Sequence, residues 1–279
     1  MRRRNLMILP LWFKILFSVF LFFLGASVYS FLNVVIFRVP RGEEFVKTRS
    51  HCPGCGKLLS PMELVPVVSY VCLGGKCKNC GSKIGCRDVL IEVFGGLSAI
   101  ATFWIFFRES AGSLAEVALG EFYGRFLAGL TAFALIGALT VITFIQIDMG
   151  VVKRGTVIAL GVVALIAFFT LPEIPIMDRV IGAACLSMFV AILSLVCKKA
   201  VPLGLAWTTI LVGFVLGWGK MLVAALPVAV AMAILQWLIL VILGKKPLSK
   251  SYKPAFAIGV GLVAAILAGG DIVKLLGLS

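Results

Sequence analysis

The chain has 279 residues, of which 61% are hydrophobic and only 14% charged, with a mean hydropathy of +1.13. That balance excludes an ordinary soluble domain, in which about half the residues are apolar and about a quarter charged. A formal charge of +14 would suit a nucleic-acid binder, but the basic residues are spread as topology signals, and no nucleic-acid partner is expected.

Apolar runs long enough for a helix to cross a hydrocarbon core, which takes about 20 residues, recur down the chain. They predict spans at 11–37, 89–107, 122–147, 155–172, 177–197, 203–218, 221–243 and 254–270. The expected fold class is an all-α polytopic membrane protein with about eight transmembrane helices. The first run is too long for a signal peptide and lacks a small-x-small exit, so it is expected to remain as an anchor.

Between the first two spans lies a different kind of sequence. Cys52 and Cys55 form a C-P-G-C-G knuckle, and Cys77 and Cys80 form C-K-N-C-G, with 21 residues between the pairs. Glycine lets each knuckle turn tightly enough to aim two sulfurs at one ion, and two such pairs supply a tetrahedral thiolate set for zinc. The competing readings are two disulfides or four unrelated buried thiols. His51 abuts the first cysteine but is not needed to complete four ligands, and reads as an exposed flanking residue.

Charge sets the expected orientation. Of the 26 basic residues, 17 fall in alternate loops. Arg38, Arg41, Lys47, Arg49, Lys57, Lys76, Lys78, Lys83 and Arg87 lie between spans one and two. Lys153 and Arg154 follow span three, Lys198 and Lys199 span five, and Lys245, Lys246, Lys250 and Lys253 span seven. The positive-inside rule makes that side cytoplasmic and puts both termini outside. The opposing loops carry Glu109, Glu116, Glu121, Glu173 and Asp178, while Arg2, Arg3 and Arg4 pull against the assignment. A cytoplasmic knuckle is reduced, which favours metal over disulfides. The remaining cysteines, Cys72, Cys86, Cys185 and Cys197, lack paired spacing, and the last two read as small buried hydrophobes.

Other chemistry is sparse. No phosphate-binding glycine loop, serine elbow or metalloprotease helix occurs. The ionisable candidates at the spans are Glu92, Asp148 and Asp271, all near predicted interfaces, where an ionisable group costs little.

The first 100 residues resemble the type IV prepilin peptidases, bifunctional membrane enzymes of pilus and type II secretion assembly. Gly25 to Pro40, G-A-S-V-Y-S-F-L-N-V-V-I-F-R-V-P, is similar to that family's G-S-F-L-N-V-V-I-x-R-L-P. Glu63, Val65, Pro66, Ser69 and Tyr70 resemble its E-x-I-P-x-x-S-Y, and Gly75, Lys76 and Cys77 its R-G-K-C. Ile84, Arg87 and Glu92 match I-x-x-R-Y-P-x-x-E, with Asp88 and Val89 in place of Tyr-Pro. The resemblance implies a bacterial inner-membrane protein acting on the N-terminal helices of prepilins or pseudopilins. It further implies an aspartyl endopeptidase and an N-methyltransferase using S-adenosylmethionine, although no S-adenosylmethionine pocket can be named. Three parts are then expected: a first transmembrane helix (1–37), a cytoplasmic knuckle domain (38–88) and a seven-helix membrane domain (89–279).

The departures concern the peptidase aspartates. Laying I-D-x-D-x-M-L-L-P-D on this chain puts Gln146 at the first catalytic place and Lys153 at the proline, leaving Asp148 only in the second, dispensable acidic place. The trailing pattern Gly213, Leu216, Gly217, Trp218 puts Gly204 at the last glycine of G-x-G-D-x-K-L. Leu205 then stands for the aspartate, Trp207 for the lysine and Pro202 for the first glycine. Gly217-Trp-Gly-Lys220 and Gly270-Asp271-Ile-Val-Lys274-Leu275 are rival registers. Asp271, however, is expected at the outer side and Asp148, the one candidate catalytic acid, at the inner. About 25–30 Å of membrane would separate them, too far for a carboxyl dyad. The expectation is a family member without proteolysis that binds prepilin-type helices. The alternatives are a methyltransferase without peptidase activity, or an active peptidase whose aspartates lie in another register.

Overall fold

A computed structural model describes residues 10–44, 49–108, 119–149, 152–171, 174–196 and 203–220. The described residues are almost wholly helical: α1 (Leu11–Arg38), α2 (Val68–Cys72), α3 (Cys86–Arg108), α4 (Leu119–Met149), α5 (Arg154–Thr170), α6 (Ile176–Val196) and α7 (Leu203–Lys220). No strand forms among them, only two isolated bridges, His51 with Leu58 and Lys76 with Lys83. Three segments are long and apolar enough to cross a membrane, Leu11–Arg41, Cys86–Phe106 and Phe122–Ile145, and Arg154–Thr170 and Ala206–Gly217 are shorter apolar helices. The spans expected at 221–243 and 254–270 lie outside the described residues.

The chain divides into two compact units, Met1–Phe126 and Leu127–Ser279. In the first, α1 packs along α3 through small residues. A Cβ added to Gly25 would sit 2.5 Å from the Gly95 carbonyl and 2.6 Å from the Ala99 Cβ, so only glycine permits this approach. Tyr29 is fully buried beside Gly95, and Trp104 Nε1 donates to Ser18 Oγ at 3.0 Å. Without a hydrophobic drive between helices in lipid, close backbone packing and interhelical hydrogen bonds hold such a pair. The outer face of α1, with Trp12, Leu16, Phe20 and Phe31, is exposed, as a lipid-facing helix requires. Helix α1 stops where Pro40 removes a backbone donor within the 3₁₀ turn Val39–Arg41 and Gly42 turns left-handed at φ 73°.

The second unit has a continuous apolar core. Leu135, Leu139 and Ile142 of α4 meet Leu160, Ala164 and Ala167 of α5, Leu186 of α6, and Val212, Val215 and Leu216 of α7. Helices α6 and α7 cross at Gly182 and Gly213, where an added Cβ on either would lie 2.5 Å from the other's carbonyl oxygen. Buried hydroxyls bond within their own helices, Thr131 to the Leu127 carbonyl and Thr140 to that of Ile136, both at 2.7 Å. Such back-bonding leaves no bare polar group in an apolar surround. Buried Arg179 closes the α5–α6 corner, donating from Nε to the Ile174 carbonyl at 3.1 Å and from Nη2 to that of Leu171. Its positive charge complements the carbonyl end of α5. Helix α7 breaks at Gly217, with φ 69° and ψ 172°.

Candidate metal centre

The two knuckles are built alike, and backbone bonds build them. Cys52 N–H donates to the Lys57 carbonyl at 2.9 Å and Gly56 N–H to the Cys52 carbonyl at 2.8 Å. One repeat later, Cys77 N–H donates to the Ser82 carbonyl at 2.8 Å and Gly81 N–H to that of Cys77 at 2.9 Å. Gly56 and Gly81 hold φ of 70° and 71°, the left-handed region that disfavours a Cβ. Leu59 N–H to the Ser50 carbonyl (3.0 Å) and Ile84 N–H to that of Gly75 (2.8 Å) close the outer rungs.

This frame converges all four predicted cysteines. The Sγ atoms of Cys52, Cys55, Cys77 and Cys80 lie within 4.8 Å of one another, and Cys52 and Cys80 are 3.8 Å apart. A tetrahedron of sulfurs at about 2.3 Å from a central zinc has edges of about 3.8 Å, so the donor set fits one such ion. All four are unbridged thiols, so the disulfide reading is set aside. Cys52 and Cys77 are buried while Cys55 and Cys80 face outward.

Two residues that sequence reading passed over complete the cluster. The Ser82 hydroxyl lies 3.5 Å from Cys52 Sγ and 3.1 Å from Cys80 Sγ. Asn79 donates from its backbone N–H to Cys77 Sγ at 3.4 Å and from Nδ2 to Cys55 Sγ at 3.7 Å, while accepting from Lys57 Nζ at 3.1 Å. Gly54 makes room, because a Cβ there would sit 2.9 Å from Ser82 Oγ. Ser82 chiefly, then the backbone N–H groups of Gly54 and Cys55, brings the Cys52 thiol down from 9.0 to about 6. Ser82 also lowers Cys80. At Cys77 the N–H groups of Cys80 and Asn79 pull down, but the neighbouring sulfurs and burial outweigh them and the thiol is raised.

Metal binding needs thiolate, and a thiol whose value is depressed by the fold supplies it from about 6 upward and loses it as pH falls through that value. Ser82→Ala is therefore expected to move acid-induced metal release to higher pH, by on the order of one unit. Metal retained by each protein across a pH series, read by elemental analysis, checks this.

The motif residues around the knuckles act as fasteners. Glu63 Oε2 accepts from Ser60 N–H and Oγ, both at 2.8 Å, forming a capping box. The same two donors, the backbone one first, hold its carboxyl below the ordinary range. Glu92 Oε2 accepts from Val67 N–H at 2.8 Å. Val67 itself has φ 63° and ψ −50°, and Val68 N–H reaches back to the Pro66 carbonyl at 2.6 Å. That is a strained γ-turn on a β-branched residue, held by α3. Asn33 Nδ2 donates to the Asp88 carbonyl at 3.0 Å, and buried Arg38 donates to the carbonyls of Glu44 (3.3 Å) and Arg49 (3.5 Å). His51 is exposed, its Nδ1 3.4 Å from the Arg49 carbonyl.

The other candidates lie in the second unit. Asp148 is exposed on the last turn of α4, and Gln146 shares that turn. Leu205 lies in the first turn of α7. Asp271 and Cys197 lie outside the described residues. Cys185 is half-buried and packs against the apolar core, whereas Cys72 and Cys86 are exposed.

A helical membrane protein that inserts a four-thiol knuckle domain between its first two spanning helices is a narrow class. The bacterial peptidase A24 N-terminal domain matches residues 23–106, and the relatives to which this chain is similar are prepilin leader peptidase/N-methyltransferases. It is 48% identical over 89 residues to a prepilin leader peptidase/N-methyltransferase of Myxococcus xanthus, covering 32% of this chain and 27% of that one. With one from Pseudomonas aeruginosa it shares 36% over 115 residues, 33% of this chain and 40% of the other. A Bacillus subtilis relative of the same name aligns over 91% of this chain and 95% of its own length, at 27% identity over 254 residues. The two stronger matches thus span well under half of those relatives. No solved structure matches significantly.

Proposed function

We propose that this chain handles the N-terminal helices of prepilins or pseudopilins at a bacterial inner membrane without cleaving their leaders. The observation that carries this reading is chemical. At the two places where the family has aspartate stand Gln146 and Leu205, at the end of α4 and the start of α7. An up-and-down path through α4, α5, α6 and α7 would put both at the helix ends that adjoin Lys153 and Arg154. An amide and an alkyl group there cannot share the proton that an aspartyl dyad passes between water and the scissile carbonyl. Asp148 stands two residues beyond Gln146.

The division of labour follows the motifs: residues 1–37 as the first transmembrane helix, 38–88 as a cytoplasmic zinc domain held by Cys52, Cys55, Cys77 and Cys80, and 89–279 as the membrane domain. Bound there, zinc would tie the two knuckles together, while Ser82 and Asn79 share out the thiolates' negative charge. The capped and clamped segment from Ser60 to Tyr70 would offer the leader a preformed surface. A second reading, methyl transfer from S-adenosylmethionine to a processed pilin, is favoured by the high identity confined to short alignments such as the 89 residues shared with the Myxococcus xanthus relative. Purified protein incubated with a prepilin and labelled S-adenosylmethionine separates them, with leader removal and methyl incorporation read independently. Leader removal that Asp148→Asn abolishes would overturn the proposal.

The orientation has its own test. Single cysteines placed at 245–253 are expected to react with membrane-impermeant thiol reagent only after the cytoplasmic side is opened. Labelling in sealed cells would reverse the assignment.

A further inference from the structure

We propose that α2 and the turn before it enter the head-group layer of the bilayer, seating the knuckle domain on anionic phospholipid. Depth is the first ground. The Val67 N–H is bonded to Glu92, which lies inside the apolar segment Cys86–Phe106. Six residues separate Cys86 from Glu92, about 9 Å along a helix axis. A 21-residue span is about 30 Å long, roughly the full hydrocarbon thickness. A segment tied to its second turn therefore lies beside the span and not in the water above it.

Surface chemistry is the second ground. Met62 is 82% exposed, Val71 70% and Leu64 46%. Val68 and Val71 stand three residues apart on α2 and share a face. On the neighbouring stretch of α3, Leu90 is exposed as well. Apolar side chains gathered on two adjoining short elements mark a contact surface. Exposed Lys57, Lys76, Lys78 and Lys83 lie on the knuckles beside it. Apolar residues in the acyl boundary with lysines at the phosphates is how a segment lying in the interface binds acidic lipid. Both chain connections to this domain leave one tightly packed helix pair, so the bilayer surface is already adjacent. The proposal is independent of any peptidase or methyltransferase activity.

The test uses full-length protein, zinc content verified, in vesicles of phosphatidylethanolamine and phosphatidylglycerol. Benzoylphenylalanine replaces Val71 in one preparation and Met62 in a second, with Leu16 as a span control. After illumination, mass spectrometry is expected to find lipid adducts at 71, 62 and 16. In phosphatidylcholine vesicles, adducts at 71 and 62 should fall at least about threefold while those at 16 persist. Adducts at 16 but at neither 62 nor 71 would overturn the insertion. Equal yields in both lipids would overturn the anionic preference. Crosslinking of 71 and 62 to an added prepilin in place of lipid would reassign the surface to protein.

Discussion

Purified protein given a prepilin is expected to leave the leader attached, and Asp148→Asn is expected to change nothing. One positioned acid or base contributes about 10²–10⁴-fold to rate. The two carboxyls of an aspartyl dyad act as a unit, because each sets the other's protonation, so losing both leaves almost nothing to lose further. In the proposed register, Gln146 and Leu205 stand at the places of both members. Restoring one place alone, as Gln146→Asp, should recover no cleavage, since a single carboxylate has no partner to hold the second proton. Restoring both, as Gln146→Asp with Leu205→Asp, should raise cleavage by at least about 10²-fold over the single variants. Mass spectrometry of the pilin N-terminus reads each outcome. Cleavage by the unaltered chain that survives in Gln146→Ala and disappears in Asp148→Asn would move the catalytic register to Asp148.

Cys52→Ser is expected to reduce bound zinc from about one equivalent to well below it, and to open the segment 50–85 to protease while the spanning helices keep their helical signal. Closed thiolate sites supply folding free energy locally, roughly 10–16 kcal/mol for zinc-finger peptides near neutral pH. The knuckle domain has little else. Its apolar side chains Leu58, Met62 and Ile84 are exposed, and among its buried residues the cysteines Cys52 and Cys77 stand out. The α1–α3 pair is held separately by Gly25, Gly95 and the Trp104–Ser18 bond, so it should outlast the metal. Chelation of the unaltered protein should reproduce the effect reversibly. Protection of residues 50–85 unchanged in both experiments would mean that the backbone frame suffices without an ion.

Much of this architecture is legible in the residues because bilayer and thiolate chemistry leave local signatures. Runs near 20 apolar residues have one use in a chain this hydrophobic. Accordingly α3 through α7 begin or end within about three residues of the expected spans. Two C-x2-C knuckles with following glycines can face each other because each turn is closed by its own backbone bonds. The convergence of four sulfurs within 4.8 Å needed only that the knuckles meet.

What tertiary structure decided depends on contacts between residues far apart in the chain, which no local pattern encodes. Ser82 and Asn79 look like filler in their knuckle, yet each touches sulfurs of both pairs because Gly54 lets the turns approach. Glu92 read as a lone acid near an interface, but it clamps Val67, 25 residues away, in a conformation a β-branched residue avoids. Arg179 carries no signal in the sequence, yet it is buried at the α5–α6 corner against Phe168 and Phe214. Hydropathy and spacing identify which segments cross and which thiols can meet. Only the packed backbone selects the donors that surround those thiols and the carboxyl that holds the strained turn against α3.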